Sequence, residues 1–351
     1  MSPSPTGRLL REIREQPQVT ARLLTEGMGE VAALARVLRR RQPPFVVFAA
    51  RGSSDNAAVY GKYLVETLLG VPAALAAPST VTLYRRSLRL RQALVVGLSQ
   101  SGASPDVVEF VAAARRAGAL AVAVTNRPRS PLADAAAHVL WLRAGAEHSV
   151  AATKTFLAQL LVLAMLVGAW GRVGTLRRGL ARVPGAVEAA LALDGPVAAL
   201  ARRWRDVTGC LVTGRGYGYA VALEAALKLK ETCYLMAEAL SGADLLHGPI
   251  ALAAPGMPVL LVALRGPSLA AQRAVARRLA ARGAEVTLVT DVRLRAGPPA
   301  ATVLPLAQDL PEPLAAIPAA VPAQLLAWHL AVQRGIDPDR PRGLRKVTRT
   351  R

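Results

Sequence analysis

Short, wholly apolar runs alternate with longer stretches of helical periodicity along most of the chain. Residues 45–50, 93–98 and 139–142 are apolar throughout, and 120–125 is apolar up to its last residue, Thr125. Such runs predict strands covered on both faces, as in a parallel sheet between helices. Arg51-Gly52-Ser53-Ser54 leads from the first run into a predicted helix over 55–69. Ser99-Gln100-Ser101-Gly102 leads from the second into a helix ending near Ala117. Past residue 200 the alternation resumes, with strands expected at 210–213, 259–264, 285–290 and 303–306. Residues 1–41 read as helical, and Pro43-Pro44 stops the run.

The two stretches keep one register. Gly52 recurs as Gly216 and Gly102 as Gly266, each 164 residues later, and Val139-Leu140 recurs as Val303-Leu304 at the same offset. Gly118-Ala119 recurs as Gly283-Ala284, 165 residues on. Four landmarks in register indicate a duplicated α/β unit. The halves differ at their turns. The first has Gly52-Ser53-Ser54 and Ser99 to Ser104; the second has Gly216-Tyr217-Gly218 and Arg265-Gly266-Pro267-Ser268. Open α/β sheets bind ligands beyond the carboxyl ends of their strands, so the hydroxyl-rich first half is the expected ligand half.

Composition narrows the class. The 351 residues are 52% hydrophobic and 19% charged, which is globular and not disordered. The two cysteines, Cys210 and Cys233, are too few for a disulfide framework and fit a reducing compartment. Charged residues from Arg8 to Glu15 leave no signal-peptide core. The most apolar run, 156–170, contains Gln159 and is shorter than the roughly 20 residues a membrane span needs. It predicts a buried core helix, and a cytoplasmic chain with no membrane partner. The net charge of +21 is carried almost wholly by arginines scattered over the whole sequence. Nucleic-acid sites cluster their cations, so this reads as a solvated basic surface with no nucleic-acid partner. The positive field still favours anionic small molecules.

In a chain so rich in arginine, the five lysines (62, 154, 228, 230 and 346) mark places where a compact, deprotonatable amine matters. Ser104 and Pro105 form an N-cap and N1 pair after the turn Ser99 to Gly102. Helix N-termini present free N–H groups to phosphate, and Ser54, Ser99, Ser101 and Ser104 would add neutral donors. Glu224, Lys228 and Glu231 fall on one helical face. His247 follows the polar turn Ser241 to Asp244. A carboxylate, a lysine and a histidine together can move protons between adjacent carbons and a ring oxygen. His138 and His329 lie in apolar surroundings and read as packing residues; His148 is open to either reading.

These segments resemble the sugar isomerase (SIS) family. The resemblance rests on Gly52-Ser53-Ser54, Ser99-Gln100-Ser101-Gly102 and Ala144-Gly145-Ala146-Glu147 with Val150 to Lys154. It continues through Ala222 to Glu231, His247-Gly248-Pro249 and Pro341 to Thr348. The chain looks most like the isomerase half of glutamine–fructose-6-phosphate aminotransferase and the stand-alone SIS-type glucosamine-6-phosphate deaminases. The resemblance implies two tandem flavodoxin-like αβα subdomains with parallel sheets, binding a phosphosugar with no metal and no cofactor. It implies that Ser54, Ser99, Gln100, Ser101 and Ser104, with Gly52 and Ser53 in the first turn, hold the 6-phosphate, and that Val150 lies along the sugar. Glu231 would shuttle the proton between C1 and C2, with Lys228 beside it. His247 would open the ring, contributed from the partner subunit of a homodimer, and Lys346 would face the open-chain carbonyl. Ala103 and Arg345 depart from the synthase pattern.

The expected layout is an N-terminal helical segment (1–44), a phosphosugar-binding subdomain (45–175), a subdomain with the base and ring-opening residues (176–340) and a tail closing the site (341–351). With only 44 residues before Phe45, no glutaminase domain is expected. The expected reaction is therefore glucosamine 6-phosphate plus water to fructose 6-phosphate plus ammonia. The alternatives are an aminotransferase homologue of the isomerase type and a deaminase or deglycase for another amino-sugar phosphate. A phosphosugar-sensing module without catalysis is the non-enzymatic rival, but a sensor does not need Glu231, His247 and Lys346 together.

Overall fold

Ten parallel strands form two five-stranded sheets in a computed structural model that describes residues 7–293, 302–307 and 310–346. The ends of the expected N-terminal segment and tail, residues 1–6 and 347–351, lie outside the described residues. The chain divides into two units. The first holds residues 18–147, 154–181 and 345–346; the second holds 7–17, 148–153 and the described part of 182–344. The N-terminal segment is three helices, Arg8–Arg14, Gln16–Glu26 and Met28–Arg41. They are shared between the units and do not form a body of their own.

The first sheet comprises β1 (Val46–Ala49), β2 (Ala73–Leu75), β3 (Leu94–Ser99), β4 (Leu120–Thr125) and β5 (His138–Trp141), in the order β2-β1-β3-β4-β5. Val47, Ala49, Val95, Ala121 and Ala123 pack with Val107, Phe110 and Val111 of the Pro105–Arg116 helix. On the other face a Cβ at Gly61, in the Ser53–Leu69 helix, would meet Phe48 and Leu163 within about 3 Å. Gly61 therefore lets that helix lie close to both the sheet and the Lys154–Trp170 helix. The latter is buried from end to end, as its apolar sequence predicts.

The second sheet comprises β6 (Gly209–Gly214), β7 (Met236–Ser241), β8 (Pro258–Val262), β9 (Glu285–Thr290) and β10 (Thr302–Pro305), in the order β10-β9-β8-β6-β7. Counted from the start of each unit, both sheets have the order 2-1-3-4-5 of the flavodoxin-like fold. Leu211, Val259, Leu261, Val286 and Leu288 pack with Val275, Ala276 and Leu279 of the Leu269–Ala280 helix. The Tyr217–Cys233 and Glu312–Gln333 helices pack together on the opposite face. Glu312–Gln333 is, taken singly, the one described helix long and apolar enough to cross a membrane, and 89% of that stretch is buried inside the protein.

The duplication extends to backbone torsions. Gly52 has φ 56° and ψ −133°, and Gly216 has φ 60° and ψ −131°. Each begins a 17-residue helix in a conformation open essentially to glycine alone.

Candidate active site

The hydroxyl-rich turns of the first unit close over the carboxyl ends of β1 and β3. Ser54 is buried, and its Oγ accepts a 2.8 Å hydrogen bond from Nε2 of Gln159, itself buried in the Lys154–Trp170 helix. Ser99 and Ser104 face each other, Oγ to Oγ, at 3.2 Å. Ser104 holds the cap position expected of it, yet its side chain makes no cap bond. Its hydroxyl turns to Ser99 instead, toward the space above the strand. Ser101 Oγ accepts from the Ala103 N–H at 3.2 Å. Gly102, at φ 63°, is required here, since a Cβ would stand 2.2 Å from Ser130 Oγ. The Gln100 carbonyl accepts from the Asn126 N–H at 3.1 Å. The turn is thus fixed by its backbone, and Ser53, Gln100, Ser101 and Ser104 remain half-buried.

The nearest cation in sequence is Arg51. Its Nε lies 2.6 Å from Oδ2 of Asp106, a buried carboxylate in the first turn of the Pro105–Arg116 helix. That pairing commits the guanidinium to the scaffold. Burial raises the Asp55 carboxyl above its ordinary range, and the charge of Arg51 partly offsets this.

Glu147 joins the tail to the first unit's framework. Its side chain is wholly buried and accepts from the Thr155 N–H at 3.1 Å and the Thr155 hydroxyl at 2.7 Å. It also accepts from Lys346 Nζ at 2.8 Å. Asn126 holds the preceding loop, donating to Gly145 O at 2.6 Å and accepting from the Ala144 N–H at 2.9 Å. Glu147 lies within the resembling motif, but its pairing with a lysine 199 residues away has no signal in the sequence. Gln159 did carry a signal, as a lone amide inside an otherwise apolar helix.

In the second unit the Tyr217–Cys233 helix places Lys228 between two carboxylates. Nζ is 3.5 Å from Glu224 Oε1 and bonds directly to Glu231 Oε2. Glu224 and Lys228 are buried, whereas Glu231 keeps a quarter of its side chain open. This is not a solvated surface ion pair. Buried charges persist only when paired, and the open end of the triad is Glu231. Lys230, two residues on from Lys228, is exposed.

His247 ends the Gly242–Leu246 helix, exposed, and its ring makes no hydrogen bond or ion pair among the described residues. Val150 is half-buried in the 148–153 segment, whose Ser149 N–H donates to Glu12 at 3.2 Å. His329 departs from the packing role expected of it: Nε2 lies 2.7 Å from Asp194 Oδ1. Among the described residues no group of three or more His, Cys, Asp or Glu could hold a metal ion.

The second unit's copy of the serine cradle has been rebuilt. At an offset of 164, Ser54, Ser99 and Ser101 correspond to Gly218, Ala263 and Arg265, and only Ser104 keeps a hydroxyl, as Ser268. Ser268 Oγ donates to Glu312 Oε1 at 3.3 Å. The same carboxylate lies over Gly266, so that a Cβ there would be 1.9 Å from Oε2. A side chain of the chain itself fills this place. Burial raises the Glu312 carboxyl, the Ser268 bond lowers it and the charge of Asp291 raises it. Asp291 is raised by burial and lowered by the Arg265 N–H it accepts.

The chain thus holds two flavodoxin-like units, one with a hydroxyl-lined turn and the other with a buried Glu-Lys-Glu triad. Residues 41–169 and 208–334 each match the SIS domain, and the chain belongs to that family. It is 38% identical over 345 residues to the isomerizing glutamine–fructose-6-phosphate aminotransferase of Methanothermobacter thermautotrophicus, covering 96% of this chain and 56% of that one. The chain thus spans little more than half the length of that enzyme. Among solved structures it is similar to a protein of Silicibacter pomeroyi assigned as a phosphosugar isomerase, with 41% identity and a TM-score of 0.85 over 95% of this chain and all of that one. It is also similar to the C-terminal domain of glucosamine–fructose-6-phosphate aminotransferase from Francisella tularensis, with 27% identity and a TM-score of 0.88 over 96% and 99% of the two chains.

Proposed function

We infer that the chain is an aldose–ketose isomerase of amino-sugar phosphates. The favoured reaction is conversion of glucosamine 6-phosphate and water to fructose 6-phosphate and ammonia. The observation that carries this is the triad on one helix, with buried Glu224 and Lys228 leading to a partly open Glu231. A carboxylate paired with an adjacent lysine and open on one side is suited to taking and returning a carbon-bound proton. The turn residues Gly52, Ser53, Ser54, Ser99, Gln100, Ser101 and Ser104 hold the 6-phosphate by hydroxyl and N–H donors, and Val150 lines the sugar.

The roles divide as follows. His247 protonates the ring oxygen and opens the ring. Glu231 removes the proton from C2 and delivers it to C1, while a second proton passes from the C2 amine to O1, so that the aldehyde becomes an alcohol and the amine an imine. Water adds to the imine and ammonia leaves. Lys346 faces the open-chain carbonyl, Lys228 stands beside Glu231, and Glu147 is the acceptor for the Lys346 proton. The unpartnered ring of His247 supports its service to a second copy, in a cytoplasmic homodimer with shared sites. Exposed Met236 and Leu252, on either side of His247 in sequence, supply apolar surface for that association.

A second reading is the isomerase half of an aminotransferase, favoured by the 38% identity to one such enzyme over almost the whole of this chain. Ammonia and fructose 6-phosphate, measured together across a panel of phosphorylated amino sugars, separate the two. Equal release of both products supports the deaminase, whereas interconversion of fructose 6-phosphate with its aldose, without ammonia from any of the amino sugars, supports the second reading.

A further inference from the structure

We propose that Tyr234 is the positioning residue of the C-terminal tail, gripping Arg342 so that Lys346 is delivered in register. Tyr234 ends the Tyr217–Cys233 helix in the left-handed region, at φ 53° and ψ 33°. The corresponding residue of the first unit, 164 positions earlier, is Gly70, at φ 66° and ψ 17°. Glycine takes this conformation freely and tyrosine does not. The second unit therefore keeps a strained side chain where the fold accepts none, and such strain gathers at functional positions.

Burial does not explain it, since Tyr234 is only half-buried. Both of its handles go to one residue. Its Oη accepts from the Arg342 backbone N–H at 2.6 Å, and the Arg342 guanidinium stands 4.5 Å from its ring centroid. Arg334 fastens the same end of the helix, donating to Cys233 O at 3.2 Å and Trp204 O at 3.3 Å. Asp339, between them, accepts from the Arg8 and Leu9 N–H groups at 2.7 and 2.8 Å. The segment 334–342 is thus tied at three points, the last being Tyr234. Glu231 lies three residues before Tyr234, and Lys346 lies four after Arg342. A grip four residues upstream limits where the amine can go. The catalytic part of the proposal rests on the roles given to Glu231 and Lys346.

The test uses Tyr234→Gly, which relieves the strained torsion and removes both handles, and Tyr234→Phe, which keeps only the ring. Trypsin release of the peptides after Arg342 and Arg345, followed by mass spectrometry, reads the grip without any substrate. Losing one hydrogen bond and one cation–π contact is expected to speed release about tenfold in Tyr234→Gly, and less in Tyr234→Phe. The melting temperature should not fall, since glycine suits a helix C-cap. In turnover, kcat should drop about tenfold or more with little change in KM, as for loss of a transition-state contact. Wild-type trypsin rates in Tyr234→Gly would overturn the grip. Faster release with unchanged kcat would overturn the positioning role. A wild-type chain inert toward every phosphosugar tested would refute the functional reading instead, and the trypsin rates would still decide the grip.

Discussion

Lys346 Nζ stands 2.8 Å from Glu147 Oε2, a carboxylate with no exposed side-chain surface. Such a buried charge needs a partner, and here Lys346, 199 residues further along the chain, supplies it. Lys346→Arg preserves the charge but neither the compact amine nor its capacity to lose a proton. It is expected to lose most ammonia release, on the order of 10²-fold for a positioned proton-transfer or nucleophilic group. Deleting 341–351 should remove activity and lower the melting temperature by stranding Glu147, while the chain still folds because Asp339 and Arg334 are retained. Full turnover by the truncated chain would exclude the tail from the site.

Glu231→Gln keeps the shape of the triad and removes the base. Turnover should fall about 10²–10⁴-fold while fructose 6-phosphate still binds, as measured by calorimetry. Lys228→Met should behave differently. It strands the buried Glu224 carboxylate, and loss of one partner from a buried pair costs about 3–5 kcal/mol, visible in denaturant unfolding.

Phosphate held by hydroxyls and N–H groups makes binding independent of divalent ions. Fructose 6-phosphate affinity should survive EDTA and weaken by roughly tenfold or more in a Ser99→Ala/Ser101→Ala variant. Gln159→Leu leaves Ser54 Oγ without its 2.8 Å donor and is expected to weaken binding by a smaller factor. Unchanged affinity in the double serine variant would place the phosphate elsewhere.

Glu312 and Asp291 are both raised by burial from ordinary values of 4.5 and 3.8. Above those ordinary values the folded chain therefore holds more protons at these two groups than the unfolded chain. Their contribution to stability is full at low pH and is lost as the pH rises through the raised values. Glu312→Gln should accordingly flatten the fall in melting temperature as the pH rises above the ordinary carboxyl value of 4.5. An unaltered pH profile in this variant would refute that linkage.

Strand positions were legible wherever the strand is central, because a strand buried on both faces is a short unbroken apolar run. The edge strands β2 and β7 were not. Met236–Ser241 includes two alanines and a glutamate, residues with little strand preference. Its pairing with β6 supplies what propensity does not. The Glu312–Gln333 helix was hidden by Pro318 and Pro322 inside it, residues that ordinarily end a helix. At the site, the Glu224-Lys228-Glu231 face followed from helical periodicity alone. The approach of Lys346 to Glu147 did not, since no local rule joins residues so far apart in sequence.

The carboxylate of Glu312 in the second unit's cradle has a quantitative consequence. A ligand that belongs to the polypeptide is present at a fixed, very high effective concentration and has no bulk dissociation constant. Its binding free energy is folding free energy, drawn on once and independent of metabolite level. With sugar phosphate held, as proposed, by the serine turns of the first unit alone, each chain should saturate with a single equivalent. The duplicated half has become a joint whose occupant never leaves.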